Sequence, residues 1–110
     1  QIYHRALEQV RHSQAVVERL PRGYAFLGDQ LRRAASSVLL NFAEGCGKQS
    51  AAERRRFFRM ARASAYEVAA VLDVAHAFGA MGEQEHAEAQ DRCDHLAAML
   101  TRFDRGRRPQ

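Results

Sequence analysis

A chain of 110 residues with an apolar share of 46% fits one globular domain, which at this size buries roughly two-thirds of its unfolded surface and gains from association. No run of about 18 apolar residues and no basic-then-apolar leader occurs, so a membrane-spanning helix is excluded and a cytoplasmic protein is expected. The formal charge is +4, and Lys48 is the single lysine. An arginine-dominated basic surface suits a polyanionic partner, because the planar guanidinium matches phosphate and carboxylate, although a GC-rich codon bias would produce the same composition.

The first helix is expected over 2–20, with Tyr3, Ala6, Leu7, Val10, Val17 and Leu20 facing the core. Pro21 stops it, because the residue before proline is pushed out of the helical region. The connection over 21–26 is short enough to join antiparallel neighbours. A second helix follows, with Leu27, Leu31, Ala34, Ala35, Val38, Asn41 and Phe42 on one side. Leu39, Leu40 and Ala43 lie off that stripe, so a second covering surface is expected, and a partner subunit would supply one. This helix should close at Gly45 or Gly47 through the left-handed conformation that glycine accepts.

Ser50 to Glu53 reads S-x-x-E, a capping box that opens a third helix over 51–78. That helix is roughly 40 Å long, with Phe57, Ala61, Ser64, Ala65, Val68, Leu72 and Ala75 inward. Gly79 and Gly82 break it. A fourth helix over 83–104 turns Ala89, Cys93, Leu96, Ala97, Leu100 and Phe103 inward. Residues 105–110, beginning with Arg105, contain no apolar anchor and are expected to be mobile. The reading is all-α: an antiparallel up-down-up-down four-helix bundle over 1–104 with a basic tail.

QLRRAASSVLLNFAEGCGKQS over 30–50, followed by RRRFFRMARASAYEVAAVLDVA, resembles the signature of a bacterial four-helix-bundle family first noticed in proteins encoded within intervening sequences of large-subunit ribosomal RNA genes. The resemblance spans 30–72. Leu20-Pro21 stands where the family has a phenylalanine-proline turn, and 22–26 lacks the usual acidic residue. The resemblance implies an antiparallel bundle closed into a homo-oligomeric ring, a pentamer. It also implies kinship with the accessory protein of diversity-generating retroelements, which binds nucleic acid beside a reverse transcriptase.

The residues themselves offer a basic surface and no reaction. Arg54, Arg55, Arg56, Arg59 and Arg62 open the third helix, and Arg55, Arg59 and Arg62 share an arc because residues three and four apart are neighbours. That arc is a phosphate grip, a subunit contact or a solvated face. Cations there oppose the helix dipole. The bundle topology brings Lys48, Arg54 and Arg102 to the same end, with Arg105, Arg107 and Arg108 following. Arg32 and Arg33 form another basic cluster on the second helix. The expected partners are the protein itself, then RNA, DNA or a reverse-transcriptase-like enzyme. A protein-interaction scaffold whose arginines serve subunit contacts is the alternative.

Asn41 and Glu44 in N-x-x-E-G suggest a structural turn with Gly45, Ser50 and Glu53. No nucleophile, base and orienting residue assemble around them, so no catalytic residue is assigned and a non-enzymatic protein is expected. Asp73-x-x-His76 and Glu83-x-x-His86 flank one hairpin, and their spacing is like that of metal-binding bundles. Asp73 and His76 point off the core stripe, so exposed polar residues are the simpler reading, with no metal or cofactor assigned. Cys46 and Cys93 are too few for a disulfide framework and are read as free thiols, Cys93 as core filler.

Overall fold

In the computed structural model, which describes residues 1–106, four helices follow one another: α1 (Ile2–Arg19), α2 (Ala25–Cys46), α3 (Ala51–Ala77) and α4 (Glu83–Gly106). Each packs on two neighbours, in the cycle α1–α2–α3–α4. Cross-helix contacts run in opposite order along every adjacent pair. Val17 meets Gly28 while Gln14 meets Arg32, Ser37 meets Ser64 while Gly45 meets Phe58, Asp73 meets His86 while Arg62 meets Thr101, and Gln9 meets Cys93 while Arg19 meets Glu85. The fold is therefore the expected antiparallel bundle. No helix among the described residues is long and apolar enough to cross a membrane.

The helix ends follow from local chemistry. Leu20, ahead of Pro21, has φ −64° and ψ 138°, the extended geometry that proline imposes. Ser50 Oγ accepts the Glu53 amide at 3.1 Å and caps α3, while the Glu53 carboxylate lies 4.0 Å from Arg56. Gly79, at φ 78°, reverses the chain after α3, a conformation that L side chains resist.

Gly45 corrects the sequence expectation. Neither Gly45 nor Gly47 is left-handed. Gly47 caps α2 with φ −87°, and Gly45 lies inside the helix, where a Cβ would fall 2.6 Å from Phe58 Cε1 and 3.1 Å from Phe57 Cβ. The requirement is close approach of α2 to α3. Phe58 is fully buried, its ring centre 5.6 Å from that of Phe42 in a tilted contact and 5.1 Å from that of Phe103 edge to face. This aromatic cluster closes the end of the core where α2 hands over to α3.

The α2 stripe is buried as read, except that Asn41 is half-buried. The α1 stripe is shifted. Ile2, Ala6, Gln9, Ser13 and Val16 are buried, Leu7, Val10, Val17 and Leu20 are half-buried, and Tyr3 is 47% exposed. Two inward positions are polar because α1 seats against α4, where Gln9 donates to Cys93 Sγ at 3.3 Å. On α3, Phe58 replaces Phe57 as the core residue, and Ser64 is half-buried. On α4, Phe103 is half-buried and the adjacent Asp104 is only 3% exposed. Helix α4 continues through Gly106, past the expected start of the tail, and 107–110 lie outside the described residues.

Candidate nucleic-acid interface

The C-terminal ends of α2 and α4 and the N-terminal end of α3 meet at one end of the bundle, and the arginine-rich opening of α3 stands there. Lys48 Nζ pairs with Glu44 at 3.2 Å and lies over the Phe57 ring at 5.2 Å. Arg54 Nε donates to the Lys48 carbonyl at 2.7 Å, fixing the turn between α2 and α3. Arg56 is exposed, with its guanidinium 5.0 Å from the Phe57 ring centre. Arg102 is exposed beside an apolar depression of about 710 Å³ that Ile2, Tyr3, Phe42, Met99 and Phe103 line. Together these place Lys48, Arg54, Arg56 and Arg102 at one pole, as the topology requires.

Arg55, Arg59 and Arg62 do share one arc, but the arc leans onto α4. Arg59 Nε is 4.0 Å from Asp104 Oδ2, and Arg62 Nη1 is 3.4 Å from Thr101 Oγ1. The Arg55 side chain is half-buried, with Nη1 shielded from solvent and without a hydrogen-bond partner among the described residues. Asp104 is a buried carboxylate whose cationic partner is Arg59, and its Oδ1 is without a hydrogen-bond partner among the described residues. The arc therefore serves the α3–α4 seam first, leaving Arg59 half-exposed at its rim. Periodicity had shown that these arginines align, and it carried no sign of Asp104 opposite them.

Arg32 and Arg33 do not join this pole. They lie about 20 Å away along α2. Arg32 is held by Gln14 at 3.0 Å and Asp29 at 3.4 Å, whereas Arg33 is exposed with no hydrogen bond or ion pair among the described residues. The Arg105 side chain and all of 107–110 lie outside the described residues, so that part of the expected cluster has no place in this geometry.

The N-x-x-E-G residues are structural. Asn41 Nδ2 donates to the Ser37 carbonyl and to Ser37 Oγ, both at 2.9 Å, and Ser37 Oγ is 2.8 Å from Ser64 Oγ. A polar stitch thus joins α2 to α3 in the half-buried layer. Glu44 is committed to Lys48. Cys46 is exposed, and Cys93 is buried, its thiol pushed up to about 11 chiefly by burial.

At the opposite end, Asp73, His76, Glu83 and His86 do converge. His86 pairs with Asp73 at 2.9 Å, His76 pairs with Glu83 at 3.2 Å, and the two imidazoles stack 4.3 Å apart at 7°. Gln90 completes the latch, donating to the Ala69 carbonyl and to Asp73, each at 2.8 Å. Each histidine is paired with a carboxylate, and no three His, Cys, Asp or Glu side chains among the described residues are arranged to hold a metal ion. The cluster clasps the α3–α4 hairpin.

With this geometry established, comparison with known proteins identifies the lineage. The family model described as 23S rRNA-intervening sequence protein matches residues 1–102. The chain belongs to this family. Among solved structures, a protein of unknown function of the S23 ribosomal protein family from Bacteroides thetaiotaomicron aligns with a TM-score of 0.88 at 15% identity, covering 94% of this chain and 98% of that one. At that identity the likeness concerns the fold. No curated protein matches the chain. The 23S rRNA-intervening sequence family thus supplies a lineage, and the stitches, glycine contact and capping described above explain how this sequence makes the bundle.

Proposed function

We propose that this chain is a non-enzymatic, oligomeric member of the 23S rRNA-intervening sequence family whose basic surface binds nucleic acid or the enzyme that handles it. The observation that carries the reading is the cationic pole: Lys48, Arg54, Arg55, Arg56, Arg59, Arg62 and Arg102 outnumber Glu44, Glu53 and Asp104 there. Arg54, Arg55 and Arg56 open α3, where cations work against the helix dipole, so helix stability does not account for them. A closed ring, of five subunits by the family resemblance, repeats this pole and turns weak phosphate contacts into avidity. The proposed setting is the cytoplasm, beside RNA, DNA or a reverse-transcriptase-like enzyme.

The groups available to phosphate are Arg56 and Arg102 at the pole, Arg59 at its rim and Arg33 away from it on α2, because Arg54 and Arg62 are engaged within the bundle and the Arg55 side chain is half-buried. Fluorescence anisotropy with single-stranded and duplex oligonucleotides across a salt series tests this. Charge reversal at Arg33, Arg56 and Arg102 should weaken binding on every sequence and flatten the log–log salt dependence by about three units if each contacts one phosphate. An unchanged affinity and slope would remove these residues from the interface. A protein scaffold is the second reading, favoured by the intramolecular engagement of Arg59 and Arg62. It predicts no salt-dependent nucleic-acid binding by the wild-type protein.

A further inference from the structure

Among the described residues, Arg59 and Asp104 form the one ion pair in which an exposed side chain meets a buried one. A buried carboxylate that loses its cation is strongly destabilising, and Asp104 Oδ1 already lacks a hydrogen-bond partner among the described residues. Asp104 therefore holds Arg59 from beneath. The contact is made by Arg59 Nε, 4.0 Å from Oδ2, while the arginine side chain is 54% exposed. A guanidinium is a planar fork whose five N–H groups point along different edges. With Nε turned to the carboxylate, the edge that carries Nη1 and Nη2 makes no hydrogen bond among the described residues. Its neighbours on the arc are less open. Arg55 and Arg62 are half-buried, Arg62 reaching Thr101 and Arg55 Nη1 being shielded from solvent.

We propose that Asp104 is a positioning residue for phosphate: it fixes Arg59 so that the outer edge of the guanidinium receives a phosphate group of nucleic acid in two parallel N–H···O bonds. The proposal rests on the phosphate-binding reading above and adds the residue that organises it. Burial and geometry favour positioning over competition. Asp104 is too deeply buried for a phosphate to take its place, and the separate edges of the fork let Arg59 serve both groups at once. Arg56, three residues earlier and exposed, is a surface neighbour of Arg59 on α3 and offers a second cation to the same strand. The sign of the effect separates positioning from bulk charge. Asp104 is an acid at a basic pole, so charge alone says that removing it tightens binding. Positioning predicts the reverse, because a freed arginine must be immobilised by the phosphate itself. For one rotamer-rich side chain that costs about two- to twelve-fold in affinity. At about 0.15 M salt the Debye length is about 8 Å, which damps the opposing long-range gain.

The test is fluorescence anisotropy at that salt with a labelled single-stranded oligonucleotide, on wild type, Asp104→Asn, Arg59→Gln and their double variant, with circular dichroism to confirm that each is folded. Asp104→Asn and Arg59→Gln should each weaken binding, and Asp104→Asn should have no further effect in the Arg59→Gln background. Arg59→Lys keeps the charge and replaces the fork with a single point, so it should also bind more weakly than wild type. Lying at an exposed position, it carries the test should Asp104→Asn unfold. An Asp104→Asn protein that binds as well as wild type or better would overturn positioning while leaving the phosphate-binding reading intact. So would full binding by Arg59→Lys. Equal weakening by Asp104→Asn with and without Arg59 would place its effect in the fold and overturn positioning too. A wild-type protein that binds no oligonucleotide would overturn both.

Discussion

Replacing Gly45 by alanine adds one methyl group at the tightest point between α2 and α3. That methyl would sit 2.6 Å and 2.9 Å from Phe58 ring carbons and 3.1 Å from Phe57 Cβ. The Phe58 ring cannot swing away, being fully buried between Phe42 and Phe103, so the helices must separate or the ring must leave its rotamer. Overpacking of this kind costs about 1–3 kcal/mol, against up to about 1 kcal/mol returned by alanine's better helix propensity. The net expectation is a loss of about 1–2 kcal/mol, a drop in Tm of roughly 4–16 °C for a domain of this size. Gly47→Ala is the matched control. Its nearest neighbour would be the Glu44 carbonyl at 3.6 Å, and its backbone is right-handed, so it should be neutral or stabilising. Circular dichroism melts at one fixed protein concentration, since assembly raises apparent stability, would decide the matter. A Gly45→Ala protein as stable as Gly47→Ala would refute the close-approach account and return Gly45 to a conformational role.

Other expectations follow from single contacts. Ser50→Ala removes the side-chain acceptor for the Glu53 amide and should cost about 1 kcal/mol in urea unfolding, with Ser50→Asp retaining the cap. In native protein at pH 8, a thiol-reactive dye should label Cys46 quickly and Cys93 only on unfolding, because Cys93 is buried and its thiol is raised to about 11; equal labelling would mean that the α1–α4 seam opens. His12 is held below its ordinary range by burial and by the Arg92 charge, opposed by Glu8. The folded state therefore binds fewer protons there than the unfolded chain. Its contribution is fully present above the unfolded value near 6.5 and is lost as pH falls through the folded value, so His12→Asn should reduce the acid-side loss of stability measured by chemical denaturation.

The fold was legible because α2 and α4 each carry an unbroken inward apolar line, and because Pro21 and Ser50 mark boundaries by chemistry that acts locally. Helix α1 was less legible. Its inward line passes through Gln9 and Ser13, whose burial depends on what α4 offers them, and periodicity reads hydrophobicity rather than partners. Phe57 and Phe58 flank the α3 stripe one residue apart, and the side that wins is set by Gly45 on the facing helix. The same limit applied to the candidate site. Alignment of Arg55, Arg59 and Arg62 was visible in their spacing, but nothing in the sequence marked Asp104, the expected last residue of the fourth helix, as the buried carboxylate that pairs with Arg59. Asp73 and His86 were noticed as residues that the hairpin would bring together, and their cross-pairing depends on the α3–α4 register.

The most direct test of the functional account is light scattering coupled to size exclusion, run with and without a mixed nucleic-acid pool at low and moderate salt. The account predicts a multimer that gains nucleic-acid mass at low salt and releases it as salt rises, with no change in subunit number. A multimer that never takes up nucleic acid would contradict the phosphate-binding pole and favour a scaffold, and a monomer would contradict the assembly itself.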